Sequence, residues 1–382
     1  MNPIPTTFMI ISGEASGDLL GSALAREIHD RIPSARLVGV GGDAMAAAGV
    51  ELLHHVRDLG VTGFTEVIGK LRSLFAIMRS ITDAAKSLAP TAVILIDYPD
   101  FNLRLAPRLK KNGHRVIYYV SPQLWAWRSG RISIIRDSVD RMLVLFPFEH
   151  DWYAQRGVDV SWVGHPILDR ILATPDRATC RSAMGHDADR THICLLPGSR
   201  MNELDRLLPI FVEAARILIR NRPGVDLSIL RASTIPVEAI RRHLAACPDL
   251  FRIHDEASPV VLKSADFAWV ASGTATLETA LCLTPFLITY KTSWISYCIA
   301  RSLIEVDFIG IVNVAAGRKI IPELIQSECT PSRIIEQTSR YLDDPSRQQQ
   351  AMEDLKSVSR LFGEPGAAGR AVREILRICR LD

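Results

Sequence analysis

The chain has 382 residues, of which 48% are hydrophobic and 23% charged, so it is long enough for two or three domains and too apolar for a disordered protein. Its net charge of only +3 does not indicate a nucleic-acid partner. All seven cysteines lie between residues 180 and 379, and none form a Cys-x-x-Cys pair. That usage argues against a disulfide framework or a common zinc site and indicates a cytoplasmic protein. No run of 18 apolar residues predicts a membrane span.

Short apolar runs alternate with longer helical patterns through the first half of the chain. A helix is predicted from about Leu19 to Arg31. Strands are predicted at residues 8–11, 37–40, 92–96, 116–120, 142–145 and 160–163. Continuous apolar runs between helices are typical of buried parallel strands, so this half predicts a doubly wound sheet.

The alternation restarts at His192 and predicts a second α/β unit. Helices are expected at 204–220 and from Ser272 through Leu283, with strands at 193–196, 225–230, 251–254, 267–270 and 286–289. The predicted fold is α/β, with two Rossmann-like domains facing a cleft and a C-terminal helix crossing back. The expected divisions are residues 1–168, 169–345 and a helical segment 346–382 that packs on the first domain.

The loop 12–18 follows the first predicted strand and is rich in small residues. Its glycines do not match Gly-x-Gly-x-x-Gly and no Gly-Lys-Ser/Thr follows, so it is neither a dinucleotide fingerprint nor a P-loop. Small residues here let a substrate approach the backbone at a helix N-terminus. The alternative is a tight strand-to-helix turn with Asp18 near an N-cap.

Asp97 closes a predicted buried strand, in the run Ile-Asp-Tyr-Pro-Asp-Phe-Asn at 96–102. A carboxylate in that position can accept a proton from a sugar hydroxyl, and burial would raise its pKa toward a useful range. The alternative is an ordinary turn residue at the end of a strand. Asp100 is a candidate cap for the following helix.

Two tryptophans, Trp125 and Trp127, lie next to Arg128. They predict a sugar or acyl platform with a phosphate contact, or a core position for at least one ring. Nine basic residues against two acidic ones between 104 and 141 predict a surface for anionic lipid or phosphate, or a solvated helix face. The amphipathic stretch 66–84 has an apolar surface wider than a core stripe, which favours membrane contact, with core packing as the alternative.

Three short polar turns follow predicted strands of the second half, at 197–200, 272–274 and 290–291. Free amides beside the Arg200 guanidinium suit a diphosphate. Glu278 can accept hydrogen bonds from ribose hydroxyls, and Lys291 can neutralise a leaving phosphate. Together the turns predict a nucleotide-diphosphate site. Since no residue cluster has metal-ligand spacing, a metal-free transferase is expected, with basic groups supplying the electrostatic stabilisation.

These motifs, in this order, resemble those of the lipid-A-disaccharide synthases, a family of inverting glycosyltransferases with the GT-B fold. The resemblance covers nearly the whole chain. It rests on residues 12–18, 96–102, 119–128, 146–149, 163–165, 195–200, 271–275 and 313–323.

The resemblance implies a hexosyltransferase of lipid A and lipopolysaccharide biosynthesis that needs no cofactor and no metal. UDP-2,3-diacylglucosamine would donate its sugar to 2,3-diacylglucosamine 1-phosphate, giving a β-1,6-linked tetraacyl disaccharide 1-phosphate and UDP. Asp97 would be the general base on the acceptor 6-hydroxyl, and direct displacement would invert the anomeric carbon.

The same resemblance assigns further residues to the two substrates. The donor would be held by Ser199, Arg200, Ser272, Gly273, Thr274, Glu278, Tyr290, Lys291, Asn313, Glu323 and Gln326. The acceptor side would include Ser12, Glu14, Ser16, Asp18, Asp100, Trp127 and Arg128.

The implied location is the cytoplasm, with peripheral attachment to the lipid surface of the inner membrane and a homodimer formed through the C-terminal part. Two alternatives stay open. One is another GT-B enzyme, a UDP-N-acetylglucosamine transferase or epimerase acting on a soluble sugar, which would not depend on lipid. The other is a membrane-peripheral scaffold that binds UDP without turnover.

Overall fold

The computed structural model describes residues 6–59, 67–127, 129–185, 187, 189–255, 259–294, 297, 301 and 306–381, with side chains omitted for 67–72. The chain divides into two compact units, Met1–Pro166 with Glu364–Asp382, and Ile167–Gly363. The division falls two residues before the expected boundary at 168. Each unit is a parallel sheet flanked by helices, as the alternating pattern predicts.

The sheet of the first unit is entirely parallel, with strand order β3-β2-β1-β4-β5-β6-β7. Its central strands are apolar and fully buried, because helices cover both faces. The strands are β1 (Thr7–Ser12), β2 (Arg36–Gly41), β3 (Glu51–His55), β4 (Ala92–Ile96), β5 (Val116–Tyr119), β6 (Arg141–Val144) and β7 (Val160–Trp162). The edge strand β3 was not predicted, since its sequence Glu-Leu-Leu-His-His is only partly buried and lacks a continuous apolar run.

Helices connect these strands and pack on both sides of the sheet. They are α1 (Ala15–Arg31), α2 (Asp43–Ala47), α3 (Val67–Leu88), α4 (Pro99–Lys111), α5 (Ile132–Ser138) and α6 (Pro147–Ala154). Helix α3 corresponds to the amphipathic stretch 66–84. Its residues Ile77, Met78 and Ile81 are buried in the core, whereas Phe75 is 45% exposed. Core packing therefore accounts for one face of α3 but leaves an aromatic side chain on the other.

The second unit holds a parallel sheet of order β10-β9-β8-β11-β12-β13. Its strands are β8 (Thr191–Leu196), β9 (Val225–Arg231), β10 (Arg252–Asp255), β11 (Phe267–Ala271), β12 (Phe286–Tyr290) and β13 (Glu323–Ile325). Its helices are α7 (Ile167–Leu172), α8 (Arg177–Ala183), α9 (Met201–Asn221), α10 (Val237–His243), α11 (Pro259–Ser264), α12 (Thr274–Leu281), α13 (Ile311–Ala316), α14 (Pro331–Leu342) and α15 (Pro345–Leu361). The three-residue β13 was too short to be predicted.

The C-terminal segment expected at 346–382 is shared between the units. Helix α15 stays with the second unit, where Asp354 pairs with Arg318 at 2.5 Å. Helix α16 (Ala367–Cys379) packs on α1 of the first unit. Arg370 Nε donates to the Val163 carbonyl at 2.7 Å. The chain thus returns to the first unit, as expected, but only from residue 364 onward.

Among the described residues, no helix has the length and apolar character needed to cross a bilayer.

Asp18 joins α1 to α2 through its side chain. The carboxylate accepts hydrogen bonds from the backbone N–H groups of Gly42 at 2.6 Å, Ala44 at 3.0 Å and Met45 at 3.0 Å. The alternative interpretation of loop 12–18 placed Asp18 near the N-cap of its own helix, whereas in the structure its carboxylate binds the N-terminus of the next one. This contact fixes the loop after β2 against the loop after β1, because one buried carboxylate satisfies three otherwise unpaired donors.

We predict that Asp18→Ala lowers the free energy of unfolding of the first unit by about 2–3 kcal/mol, because three buried amides lose a charged partner. Urea unfolding followed by circular dichroism measures the change. Asp30→Ala, on the exposed last turn of the same helix, is the matched control and should change stability by less than about 0.5 kcal/mol. Equal effects of the two substitutions would contradict this role of Asp18.

Candidate active site

The loops singled out in the first half of the sequence all follow the carboxyl ends of neighbouring strands. Loop 13–14 follows β1, residues 97–98 follow β4, and loop 120–127 follows β5. Because β1, β4 and β5 are adjacent and parallel, these loops emerge at one edge of the sheet. Ligands of parallel α/β sheets bind at that edge.

Three non-glycine residues at this edge have left-handed backbone. The φ angles are +45° at Asp97, +49° at Tyr98 and +67° at Val120. For Val120 the conformation is especially unfavourable, because its β-branched side chain crowds the backbone. Strain of about 1–3 kcal/mol per residue persists where surrounding contacts enforce it, and it concentrates at functional sites.

The backbone of Asp97 is held by two side chains that the sequence did not single out. Its carbonyl accepts hydrogen bonds from Tyr118 Oη at 2.7 Å and from Asn102 Nδ2 at 2.8 Å. Its N–H donates to the Tyr119 carbonyl at 3.0 Å. The sequence places Tyr118 in the strand at 116–120 and Asn102 in the run 96–102, without a separate role for either. These contacts fix the direction in which the Asp97 carboxylate points.

The Asp97 carboxyl is an unusually weak acid for an aspartate. Burial and, secondarily, the negative charge of Glu14 raise the pKa of Asp97 to about 6, against a smaller lowering by the backbone N–H of Tyr98. Asp97 is thus partly buried, and this burial has the effect on the pKa that the sequence predicts. At pH 7 and above such a group is mostly ionised, yet it holds a proton more tightly than an exposed aspartate. Those are the properties that a general base needs.

The remaining residues expected on the acceptor side have different environments. Ser12 and Asp18 are buried, and Ser12 Oγ donates to the Val40 carbonyl at 3.3 Å. Their burial does not favour direct contact with a ligand. Glu14 and Ser16 are exposed beside them.

Asp100 and Trp127 lie nearer the surface. The sequence makes Asp100 a candidate cap for α4, but the N-cap residue is Tyr98. The Asp100 carboxylate pairs instead with Arg131 at 3.0 Å. Trp127 is 39% exposed, whereas Trp125 is buried, which matches the prediction that at least one of the two rings is a core residue. Arg128 lies outside the described residues.

The expected diphosphate turn of the second unit follows β8. Ser199 N–H donates to Glu203 Oε2 at 3.0 Å, and the Ser199 carbonyl accepts from Thr234 Oγ1 at 2.6 Å. The Arg200 side chain is 82% exposed and reaches Glu203 at 3.3 Å. The turn is therefore fixed by Glu203, while most of the guanidinium faces solvent.

The turn after β11 leads directly into α12. Gly273 has a φ of +153°, and Thr274 is the exposed first residue of the helix. Glu278, one turn further along, is buried and pairs with the guanidinium of Arg170. Burial raises the pKa of Glu278, although Arg170 opposes the shift. Sequence reasoning missed Arg170, because it lies 108 positions away.

Asn313 and Glu323 bind each other and the nearby backbone. Asn313 Oδ1 accepts from the N–H groups of Ile320 and Ile321, each at 2.9 Å, and its Nδ2 donates to Glu323 Oε1 at 2.8 Å. Glu323 also accepts from the Gly310 N–H at 3.0 Å. Both side chains thus fix the loop before β13, and their direct contact with a nucleotide stays a prediction.

The other expected donor residues lie at the ends of β12 and β13. Tyr290 ends β12, and Lys291 Nζ donates to the Cys329 carbonyl at 3.4 Å. Gln326 has a left-handed φ of +51°, and its Oε1 accepts from the Thr292 N–H at 2.9 Å. These residues, the 272–274 turn and Arg200 thus follow the carboxyl ends of strands in one sheet. Among the described residues, no three His, Cys, Asp or Glu side chains group closely enough to share a metal ion.

Solved structures with the same architecture define the class of protein. A UDP-GlcNAc 2-epimerase from Neisseria meningitidis bound to UDP-GlcNAc superposes with a TM-score of 0.65, 10% identity and coverage of 98% of this chain and 100% of that one. The calicheamicin glycosyltransferase CalG4 gives 0.61, 15% identity and 99% coverage of both chains. The chain therefore has the GT-B fold, in which two Rossmann-like domains are combined.

The particular family follows from the sequence comparisons. The family model described as lipid-A-disaccharide synthetase matches residues 8–367. The lipid-A-disaccharide synthase of Syntrophus aciditrophicus is 46% identical over 364 residues, which cover 95% of each chain. The chain belongs to the lipid-A-disaccharide synthase family and is a glycosyltransferase that forms the lipid A disaccharide. Membership favours this function over the soluble-sugar alternative.

We predict that Glu14→Gln lowers the pKa of Asp97, because it removes a negative charge that disfavours ionisation of the aspartate. Carbon-detected NMR of the Asp97 carboxyl should show the midpoint moving below the wild-type value of about 6. Asp30→Asn, at an exposed position of α1, should leave the midpoint in place. An unchanged midpoint in Glu14→Gln would mean that Glu14 does not act on Asp97.

Proposed function

We propose that this enzyme transfers the diacylglucosamine unit of UDP-2,3-diacylglucosamine to 2,3-diacylglucosamine 1-phosphate. The first unit binds the acceptor and the second unit binds the donor. Family membership supports the reaction, and the observation that carries the residue assignment is Asp97. It combines a partly buried carboxyl, a pKa of about 6 and a strained, doubly anchored backbone at the carboxyl-end edge of its sheet.

In the proposed step, Asp97 accepts the proton of the acceptor 6-hydroxyl. The 6-oxygen forms a bond to the anomeric carbon of the donor sugar, and the bond from that carbon to the diphosphate breaks. The electron pair leaves with UDP, and the anomeric centre inverts from α to β. A base whose pKa lies just below the working pH is ionised before the step and still accepts the proton in the transition state.

The residues proposed to bind the sugar donor act on UDP, the leaving group. Arg200, with the backbone amides of the 272–274 turn and Lys291, would neutralise the diphosphate as negative charge develops on it. Glu278 would accept hydrogen bonds from the ribose hydroxyls. The ion pair between Glu278 and Arg170 opposes the rise in the pKa of Glu278 that burial causes, and so favours the charged carboxylate that accepts such bonds.

The enzyme would work in the cytoplasm, at the surface of the inner membrane. Support comes from the outer face of α3 and α4. Phe75 is exposed there, with the Arg108 guanidinium 5.8 Å from its ring centre. Arg104 is exposed on the same helix as Arg108. An aromatic ring bordered by arginines suits the boundary between acyl chains and anionic headgroups.

Asp97→Asn is predicted to abolish most turnover and to stabilise the protein at the same time. Loss of a positioned base should reduce kcat by roughly 10²–10⁴-fold, with UDP affinity unchanged. Since the folded-state pKa of about 6 lies above the ordinary value of 3.8, the free energy of unfolding falls as the pH rises between these two values and stays at its lower level above about 6. The variant should therefore melt at a higher temperature than wild type at pH 8, and this gain should shrink at pH 5.

Disaccharide formation from radiolabelled acceptor, in detergent without added metal, measures the turnover. Asp137→Asn, which changes an exposed aspartate paired with Arg136, is the matched control and should keep wild-type activity. Near-normal turnover by Asp97→Asn would remove Asp97 as the base. Absence of product from the wild type would contradict the reaction itself.

Arg200→Ala is predicted to weaken UDP binding about tenfold or more, because an exposed guanidinium at the diphosphate turn is lost. Isothermal titration calorimetry measures the affinity. Arg216→Ala, on α9, the helix that follows Arg200, is the control and should bind UDP as wild type does. If Arg200→Ala also binds UDP normally, Arg200 is not part of the donor site.

A further inference from the structure

Glu149 is a buried carboxyl whose function the proposed mechanism leaves unassigned. It lies in the first turn of α6 and is 3% exposed. Its Oε1 accepts from Ser121 Oγ at 2.7 Å and from Trp125 Nε1 at 3.1 Å. Its Oε2 accepts from the N–H groups of Leu145 at 3.2 Å and Phe146 at 3.1 Å. Four donors therefore surround one carboxylate.

The two oxygens of Glu149 serve different elements. Oε2 satisfies backbone donors where β6 ends and α6 begins, as the glutamate of a capping box does. Oε1 binds two side chains of loop 121–127, which follows β5. A carboxylate used only as a helix cap would not need the second set of contacts. Glu149 thus links the loop after β5 to the rigid turn after β6.

Other contacts hold the same loop at the same place. Tyr153 Oη, also on α6, donates to the Pro122 carbonyl at 2.9 Å. The Trp125 ring packs edge-on against Phe148, with 4.9 Å between ring centres. At the far end of this anchored segment, Trp127 remains 39% exposed. The loop therefore presents one aromatic ring at its surface while α6 fixes the residues before it.

The location of the loop connects it to Asp97. Strand β5, which leads into the loop, pairs with β4, and Asp97 directly follows β4. Tyr118 of β5 also donates the hydrogen bond that fixes the Asp97 carbonyl. The left-handed Val120 lies between Tyr118 and the loop, where it turns the chain out of the sheet. The same strand therefore positions both Asp97 and the loop of Trp127.

We propose that Glu149 is a positioning residue for the acceptor substrate: it fixes loop 121–127, and through the loop the ring of Trp127, at the sheet edge beside Asp97. This inference rests on the proposed function, in which the first unit binds the acceptor. The glucosamine ring or an acyl chain of the acceptor would pack on Trp127.

The chemistry of Glu149 supports this role. Burial raises the pKa of Glu149 to about 7, while its hydrogen bonds from Ser121, Trp125, Phe146 and Leu145 lower it. Burial and, secondarily, the charge of Glu149 raise the pKa of Tyr153, which faces the same carboxyl. A buried acid is costly to maintain, and a well-packed apolar residue is often as stable. The carboxylate accepts hydrogen bonds from all four donors only when the loop has this geometry. An apolar side chain at position 149 would not impose that requirement.

Two variants test the proposal in the full-length chain. Ser121→Ala with Trp125→Phe removes only the loop donors and leaves the helix cap intact. Glu149→Gln keeps the shape but turns one acceptor into an NH₂ group that faces donors. Both should raise the KM for the acceptor roughly tenfold, with the KM for the donor within about twofold, since loss of two hydrogen bonds acts on one substrate. Trp162→Phe, which loses a 3.1 Å bond to the Leu145 carbonyl, is the matched control and should keep both KM values.

Fluorine NMR of protein labelled with 5-fluorotryptophan gives a readout that needs no turnover. The Trp127 resonance, assigned with Trp127→Phe, should shift or broaden in both variants, whereas that of Trp269 in the second unit should not move. Normal acceptor KM with an unmoved Trp127 resonance would overturn the proposal. If Glu149→Gln does not fold, the double variant Ser121→Ala with Trp125→Phe tests the proposal by itself. A wild type that makes no disaccharide would contradict the proposed function instead, and the Trp127 resonance would still report on the loop.

Discussion

The structure of the first unit depends on one constraint, the fixed left-handed backbone at Asp97. Tyr118 from the neighbouring strand and Asn102 from the following helix both donate to the Asp97 carbonyl. Because one donor lies on β5 and the other on α4, hydrogen bonds connect the sheet and the helix to the backbone of Asp97. The backbone at Asp97 is strained, and burial around the carboxyl raises its pKa. The position and the proton affinity of the proposed base thus both depend on the packing around the end of β4.

The same kind of indirect support recurs around both proposed substrate sites. Asp18, Glu149 and Asn313 are buried polar side chains that bind backbone or loop donors. Glu203 fixes the turn that carries Arg200. Two of the groups proposed to meet substrate, Arg200 and Trp127, are more exposed, and each lies on a turn or loop that such a neighbour fixes. Removal of a supporting residue should therefore affect the substrate whose loop it holds.

Much of this organisation was predictable from the sequence, because buried parallel strands have continuous apolar runs. The central strands, the two α/β units and the position of Asp97 at a strand end followed from that pattern. Edge strands β3 and β13 did not, since one is partly polar and the other has three residues. The partners of site residues were also unpredictable: Asp18 binds α2, and Glu278 pairs with Arg170, 108 residues away. Such pairs depend on tertiary packing, which one sequence does not show.

In the proposed reaction, Asp97, whose pKa is raised, removes the proton of the acceptor hydroxyl. The most direct test is the pH dependence of kcat/KM for disaccharide formation by the wild-type enzyme between pH 4.5 and 9. We expect an acidic limb of unit slope with a midpoint near 6, because only the ionised form of Asp97 would be active. A profile that stays flat through pH 6, or whose acidic limb persists in Asp97→Asn, would contradict it.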